Sequence, residues 1–585
     1  MAKYLVTSAL PYANGPLHFG HVAGAYLPAD VYVRYLRMHG HEVLYVCGTD
    51  EYGVAITLRA EQQGVSYREY VDRWHGEICG LFDRLGVSFD VFSGTARCPY
   101  HVETAQRFFR VLVAGGWVQK RTEEQWYSPA MDRFLPDRYL VGTCHECGFE
   151  KARGDECPSC GTWIDSRRLG SPTSSLDGSK PVLRETTHWY LDLPALHRSG
   201  LSTWYRGGDD TRPHAAWKTN VDGHLAAMLK DLRERPITRD LPWGVPVPEE
   251  MEGSEGKVLY VWFDAPIGYV SATMEWAAAQ GDVERWREWW QEPDTKLVHF
   301  IGKDNIAFHV LVFPAVLMGQ GDAWEGKRFV LPWAVPANEF YNLQGRKFNT
   351  SEGWFLDLER FFERYDPDTT RFHLLLTAPE TADSEFTWAG FQKTTNSMLA
   401  DKLGNFASRV LKFCERRFEN RVPAATGALD DHETLAAADR HFAEIGEFFS
   451  RHEFKRAAQA LMAACNDLNQ FFDLMAPWKL VKSEDATDQA ACRNTLERCL
   501  AYLELLSRRF TPFCPSSAAK LRAMLGEAAA HVAAGSWGGE NAENSPGRVP
   551  EGVPLGVAEV LFRKIDDETV AAEVEALHQA ADAAG

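Results

Sequence analysis

The stretch from Lys3 to Leu36 constrains the fold more than any other. A short β-rich run, Tyr4-Leu5-Val6-Thr7, passes through Ser8-Ala9-Leu10-Pro11-Tyr12-Ala13-Asn14-Gly15-Pro16 into Leu17-His18-Phe19-Gly20-His21. A long apolar-periodic segment then ends near Leu36. Strand, Gly/Pro turn and helix in that order predict the first half of a nucleotide-binding βα unit. A helix starting there presents unpaired N–H groups and the positive end of its dipole, so an anion is at home in front of it. His18 and His21 stand three apart and share one face of the first turn. With Gly20 allowing close approach, the pair suits a triphosphate. By itself HxGH is a weak signal, and a chance pair of surface histidines is the plainer alternative.

The 585 residues leave room for roughly three to five domains. A net charge of −19 argues against a protein that coats nucleic acid indiscriminately, though not against a selective RNA partner on a local basic patch. No run is apolar for long enough to span a bilayer, so no membrane partner is expected. Met1-Ala2-Lys3 leads straight into the first strand, leaving no room for a signal peptide. The 12 cysteines make no disulfide scaffold in a chain this long, so reduced thiols and a cytoplasmic location are expected.

Glu42 to Cys47 predicts a second buried strand, followed by Gly48-Thr49-Asp50-Glu51-Tyr52-Gly53. Ligands of parallel sheets sit beyond the carboxyl ends of strands, which puts Asp50 near His18 and His21. Asp50 suits a substrate ammonium and equally well an N-cap for a helix starting near Val54. Helices are expected at Tyr67–Leu85 and His101–Ala114. Cys144, Cys147, Cys157 and Cys160 form C-x2-C, nine residues, C-x2-C, the pattern of a closed tetrahedral four-thiolate site. Such a site lacks the open position catalysis needs, so one structural Zn²⁺ per chain is expected. Arg239 reads as a surface charge or as the partner of a buried carboxylate such as Asp50.

Further on, Val258 to Tyr269 reads as a strand ending in an aromatic-lined turn. There Trp262, Ala265, Pro266 and Tyr269 line either a small apolar pocket or ordinary core. Lys296–Ile301 predicts another strand, with Gly302-Lys303-Asp304 at its carboxyl end and a helix carrying His309. After a strand at Arg328–Leu331 comes a Gly-flanked basic loop, Gly345-Arg346-Lys347-Phe348-Asn349-Thr350-Ser351-Glu352-Gly353. Helical periodicity dominates from Thr369. Asn405 and Arg409 share a helix face, and Pro477 breaks a helix beside Trp478. Ala528–Pro554 reads as a linker or surface strap, and a last helix, about Asp567–Ala581, is expected to pack back on the helical bundle.

These motifs resemble a known family. His18-Phe19-Gly20-His21 resembles the HIGH motif of class I aminoacyl-tRNA synthetases, and Lys347-Phe348-Asn349-Thr350-Ser351 their KMSKS loop. Ala9–Gly15, Val261–Tyr269, His299–Asp304 and the single four-cysteine knuckle are similar to the methionyl-tRNA synthetase pattern. The resemblance implies a multidomain α/β + α fold: a split Rossmann-like parallel sheet with a zinc-knuckle insertion, followed by an α-helical anticodon-binding bundle. It places the Rossmann halves at 1–116 and 257–330, the insertion at 117–256 and a stem-contact region at 331–398. The anticodon domain is placed at 399–540, and a C-terminal linker and helix at 541–585.

The resemblance implies an ATP-dependent ligase joining L-methionine to tRNA(Met), with Mg²⁺ accompanying ATP. His18, His21 and Lys347 become catalytic; Gly20, Lys303, Asp304, Lys347, Thr350 and Ser351 bind ATP. Leu10, Tyr12, Trp262, Ala265, Pro266, Tyr269 and His309 become the methionine pocket, where shape and soft aromatic contact select a thioether. Asp50 anchors the amino group with Arg239 paired to it, and Asn405, Arg409 and Trp478 read the anticodon. The fourth loop position departs from the family, Thr350 standing where a second lysine is usual, and Arg346 is expected to supply part of the missing charge. That departure keeps open a synthetase-like paralogue with a binding or regulatory role. A sister enzyme for another amino acid is the other alternative, although the Ile, Val and Leu enzymes carry a much larger insertion. With no appended module after the last helix, a monomer is expected.

Overall fold

The expected strand–turn–helix opens a six-stranded parallel sheet in the computed structural model. The structure describes every residue except 155, 156, 161, 163, 207–216, 428–431, 531–536, 538–545 and 585, and only the backbone of Arg206, Ser351 and Ala584. The strands are β1 (Lys3–Ser8), β2 (Glu42–Thr49), β3 (Val91–Gly94), β4 (Thr295–Gly302), β5 (Pro332–Ala334) and β6 (Ala337–Asn338). Their order is β3–β2–β1–β4–β5, with β6 beside the end of β4. This is a doubly wound sheet whose order reverses between β1 and β4, the place where such sheets open a crevice.

The strands are apolar nearly throughout because both faces are covered. Leu5, Leu44, Val46, Leu297 and Ile301 face the helices His101–Ala114 and Val261–Ala279. Tyr4, Val6, Val298 and Phe300 face the other way, into a core continuous with the helical half through Leu399, Phe406, Phe442, Phe449 and Leu468. That half is built from the helices Asn405–Arg417, Glu433–Ser450, Phe454–Met475, Ala486–Arg509 and Pro515–Leu525. Arg371 seals the junction with no exposed surface. It donates to Asp30 at 2.6 Å and to the carbonyls of Leu85, Pro512 and Phe513 at 3.0–3.1 Å.

Three expectations about elements need correction. The stretch read as a strand through Tyr269 is a strand only over Lys257–Leu259, and a helix runs from Val261 to Ala279. This helix is buried on nearly every side, so it lacks the polar stripe that marks a helix in sequence. The strand expected at Arg328–Leu331 forms instead at Pro332–Ala334, beginning on a proline whose missing N–H is tolerated at a strand's first residue.

The last helix, Asp567–Ala584, packs on the helix Trp388–Lys393 and on the end of the basic loop rather than on the central helices of the bundle. There His578 meets Trp354 at 5.3 Å, and Tyr365 donates to Glu573 at 2.8 Å. Gly353, at φ +67°, lies so close beneath Ala580 that a Cβ would stand 2.4 Å from its carbonyl oxygen. The described part of Ala528–Pro554 is a strap: the Trp537 N–H donates to Met38, and that of Val422 to Val553.

Candidate active site

Beyond the carboxyl ends of β1 and β4 lies a cleft of about 660 Å³. Its first wall is the HxGH turn. His18 caps the helix start, its Nδ1 accepting from the Gly20 N–H at 3.1 Å, while the His21 Nδ1 accepts from the His18 N–H at 3.1 Å. With both Nδ1 atoms committed as acceptors, each neutral ring carries its proton on Nε2, the edge left for a ligand. Desolvation by the cleft walls lowers both imidazoles below the usual histidine range, His18 further because His21 lies beside it, although His21 keeps an exposed edge at the cleft mouth. Two neutral N–H donors and a helix N-terminus make an anion site without fixed charge. Gly20 is required by packing as well as access, since a Cβ would lie 2.8 Å from the His18 ring and 3.2 Å from the Tyr341 carbonyl.

Tyr12 and Asp50 are brought together by a parallel bridge that prolongs the β1–β2 pairing, with the Asp50 N–H on the Pro11 carbonyl and the Ala13 N–H on the Asp50 carbonyl. Gly53, at φ +103°, lies directly under the Tyr12 hydroxyl. It is Gly53, not Asp50, that occupies the N-cap of the next helix, which leaves the Asp50 carboxyl for the cleft. Burial raises that carboxyl well above the usual range, and the nearby Asp264 adds to the effect. A substrate ammonium would reverse the shift.

Opposite Asp50, the helix Val261–Ala279 turns Trp262, Ala265, Pro266 and Tyr269 into the cleft, with Leu10 and His309 completing the wall. The His309 Nδ1–H donates to the Asn305 carbonyl at 3.0 Å, so its Nε2 accepts the Tyr269 hydroxyl at 2.9 Å. That pairing satisfies both polar tips and presents an almost apolar surface. Lys303 and Asp304 also line the cleft, where Lys303 is held by Glu339 at 2.8 Å and Asp383 at 3.1 Å.

The basic loop closes the cleft from the far side. Phe348 stacks on His18 with ring centres 4.4 Å apart and planes within 2°, and the Lys347 ammonium lies 5.0 Å from the Phe340 ring centre. Two distant segments thus share one cavity. Three expectations do not hold here. Arg239 pairs with Asp137 at 3.6 Å and stacks on Tyr260 at 3.9 Å instead of meeting Asp50. Thr350 is exposed and outside the cleft lining, and the Ser351 side chain lies outside the described residues. Arg346 turns away onto Trp354 at 4.4 Å and Glu352 at 3.5 Å, so it supplies no charge to the cleft. Sequence reasoning missed Arg138, Asn338, Glu339 and Phe340 in the lining. Only the last three carried a signal, lying a few residues before the basic loop.

Two further sites stand apart. The Sγ atoms of Cys144, Cys147, Cys157 and Cys160 lie within 4.8 Å of one another, a closed set able to hold a metal ion. In the helical half, the Arg409 guanidinium lies 4.6 Å from the Phe472 ring centre and 5.5 Å from that of Trp478. Asn405 is exposed one turn earlier, and Ala476 in left-handed conformation with Pro477 sets the half-buried Trp478 at a helix start.

Residues 4–411 match the family model described as tRNA synthetases class I (M), and residues 422–580 that of the anticodon binding domain of methionyl tRNA ligase. Methionine–tRNA ligase of Salinibacter ruber is 43% identical over 99% of this chain and 81% of its own length. That of Rubrobacter xylanophilus is 42% identical over 99% and 97%. The solved Mycobacterium tuberculosis methionyl-tRNA synthetase in complex with methionyl-adenylate superposes with a TM-score of 0.77 at 26% identity, over 96% of this chain and 100% of that one. With both family models matched in tandem over nearly its whole length, the chain belongs to the methionyl-type class I tRNA synthetases.

Proposed function

We propose that the chain activates L-methionine with ATP and transfers it to tRNA(Met), as a methionine–tRNA ligase. The observation that carries this reading is the shared cleft: HxGH and the Lys347 loop meet across it, with Asp50 and an aromatic wall between them. Asp50 holds the ammonium, and Leu10, Tyr12, Trp262, Ala265, Pro266, Tyr269 and His309 enclose the thioether, where fit replaces hydrogen bonding. Gly20 and the Nε2–H groups of His18 and His21 receive the phosphates, while Lys303, Asp304 and Lys347 bound the nucleotide.

The methionine carboxylate oxygen attacks the α-phosphorus, and the bond to pyrophosphate breaks. The charge that builds on the phosphates is met by donors already in place, the main protein contribution to phosphoryl-type chemistry. A 3′-terminal tRNA hydroxyl then attacks the acyl carbon and AMP leaves. Mg²⁺ travels with ATP as part of the substrate.

Asn405, Arg409 and Trp478 offer hydrogen bonds and an aromatic face to unstacked anticodon bases. Cys144, Cys147, Cys157 and Cys160 hold one structural Zn²⁺, which pins the tip of the insertion. The domain limits given above, a monomeric state and a cytoplasmic location complete the proposal. No helix among the described residues is long and apolar enough to cross a membrane.

The test is amino-acid-dependent ATP–pyrophosphate exchange and tRNA charging, run on the wild type, the His18→Ala/His21→Ala double variant and Thr350→Lys. Exchange is expected with methionine above all other amino acids, lost in the double variant and modestly changed in Thr350→Lys. A wild type that exchanges only after regaining the lysine overturns the reading in favour of a non-catalytic paralogue.

A further inference from the structure

The helix Val261–Ala279 has a second face that the cleft does not use. Asp264, Gly268 and Ser271 recur at i, i+4 and i+7, pointing away from the methionine wall. They meet His101, the first residue of the helix His101–Ala114. All three polar side chains are sealed, Asp264 and His101 at 0% exposure and Ser271 at 1%. The His101 Nε2 lies 3.3 Å from Asp264 Oδ2 and its Nδ1 lies 3.0 Å from Ser271 Oγ, while that hydroxyl donates to the Gly268 carbonyl at 3.2 Å. Gly268 leaves room for this approach: its missing Cβ would stand 3.3 Å from Leu10 and 4.0 Å from the His101 ring.

One arrangement of protons along these contacts leaves every group neutral. With its hydrogen on the Gly268 carbonyl, Ser271 accepts from His101 Nδ1–H, the arrangement that agrees with a neutral imidazole beside an un-ionised acid. A neutral His101 then has an acceptor at Nε2, facing a second acceptor on Asp264. The pair closes only if a proton lies between them. Placing it on Asp264 makes every group neutral. An ionised Asp264 would instead leave a charged Oδ1 buried with no partner, beside a second carboxyl. Burial favours the same state, pushing the Asp264 acid well up and the His101 imidazole down to about 4. The surrounding groups do not supply a compensating cation. Asp50, Glu51 and Tyr52 approach from the segment after β2, with Glu51 already held by Arg97, while Cys98 lies on the loop before His101 and Glu275 further along Asp264's own helix.

We propose that Asp264, His101 and Ser271 form a neutral, proton-ordered chain that positions the methionine wall and keeps the amino subsite at a single negative charge, that of Asp50. Two ionised carboxylates there would favour a divalent cation or a diamine over one ammonium. Asp264 and His101 are thus positioning residues that set charge selectivity. The proposal rests on the reading of Asp50 as the ammonium anchor.

The test begins with ¹⁵N-histidine NMR of the full-length wild type at neutral pH, with His101 assigned by its loss in His101→Gln. The neutral Nδ1–H tautomer is expected; an Nε2–H tautomer or an imidazolium overturns the proposal. In methionine-dependent ATP–pyrophosphate exchange, Asp264→Asn mimics the un-ionised acid. It should hold KM for methionine within about threefold and keep its pH profile, whereas a rise of about tenfold or more overturns the proposal. Asp50→Asn separates the two ideas: a KM for methionine raised about tenfold or more supports the anchor, and an unchanged KM removes the anchor reading whatever the His101 tautomer.

Discussion

Replacing Arg371 by Met removes the guanidinium that ties Asp30 to the carbonyls of the helical half. The side chain is fully buried and makes four donations, one to Asp30 and three to backbone carbonyls. Removing one partner of a buried pair costs about 3–5 kcal/mol, because the other charge stays behind. Arg34, 2.8 Å from the same carboxylate, retains part of the compensation, which puts the expected loss near the lower end, about 3 kcal/mol.

Titration gives an independent measure. Burial alone raises the Asp30 acid, but Arg371 and Arg34 overcome it and hold the group at about 2. Against an unfolded value of about 3.9, the depressed pKa stabilises the fold by about 2–3 kcal/mol at neutral pH. That stability is present above pH ~4 and drains away as the pH falls towards ~2. Urea unfolding followed by tryptophan fluorescence should therefore show Arg371→Met with a clearly lower midpoint at pH 7. The gap to wild type should narrow below pH ~4, because the variant has less of the Asp30 contribution to lose. Equal midpoints at neutral pH, or a gap that does not change with acidification, would refute the assignment of Arg371 as the clasp of the junction.

Phe348→Ala removes the ring stacked on His18, a contact worth about 0.5–1.5 kcal/mol, so ATP–pyrophosphate exchange should fall about two- to tenfold with the fold intact by circular dichroism. Trp478→Ala should lower kcat/KM for tRNA charging by about fivefold or more, from the ~1–3 kcal/mol of one base stack, and leave pyrophosphate exchange unchanged. Cys157→Ser should abolish stoichiometric zinc in metal analysis of the purified chain and make the insertion protease-sensitive, since three remaining ligands no longer close the site.

The catalytic sheet was legible because it is parallel and buried: β1, β2 and β4 read as apolar runs, and each ends in a polar signature. Gly302-Lys303-Asp304 and the cysteine pairs carried their chemistry in local spacing, and the described geometry gathers them as the spacing suggests. What failed was non-local. Arg239 could be assigned a carboxylate partner but not the right one, because the Thr238–Leu259 pairing that aims it at Tyr260 and Asp137 joins distant segments. The helix Val261–Ala279 was misread because burial on all sides erases periodicity, leaving an apolar run with a proline that looks like a strand. Arg346 could not be oriented from its position in the loop, since the ring of Trp354 that captures it lies across a hairpin-like closure between Asn349 and Trp354.

One face of the sheet shares its core with the helical half, through Val6, Val298 and Phe300 on one side and Phe442, Phe449 and Phe454 on the other. For anyone building chimaeras, this means that a splice near residue 400 is not a neutral seam. A transplanted RNA-reading half from a distant relative would bring the wrong shapes to the underside of the nucleotide sheet, and grafts should succeed in proportion to how well those few facing side chains are carried across together.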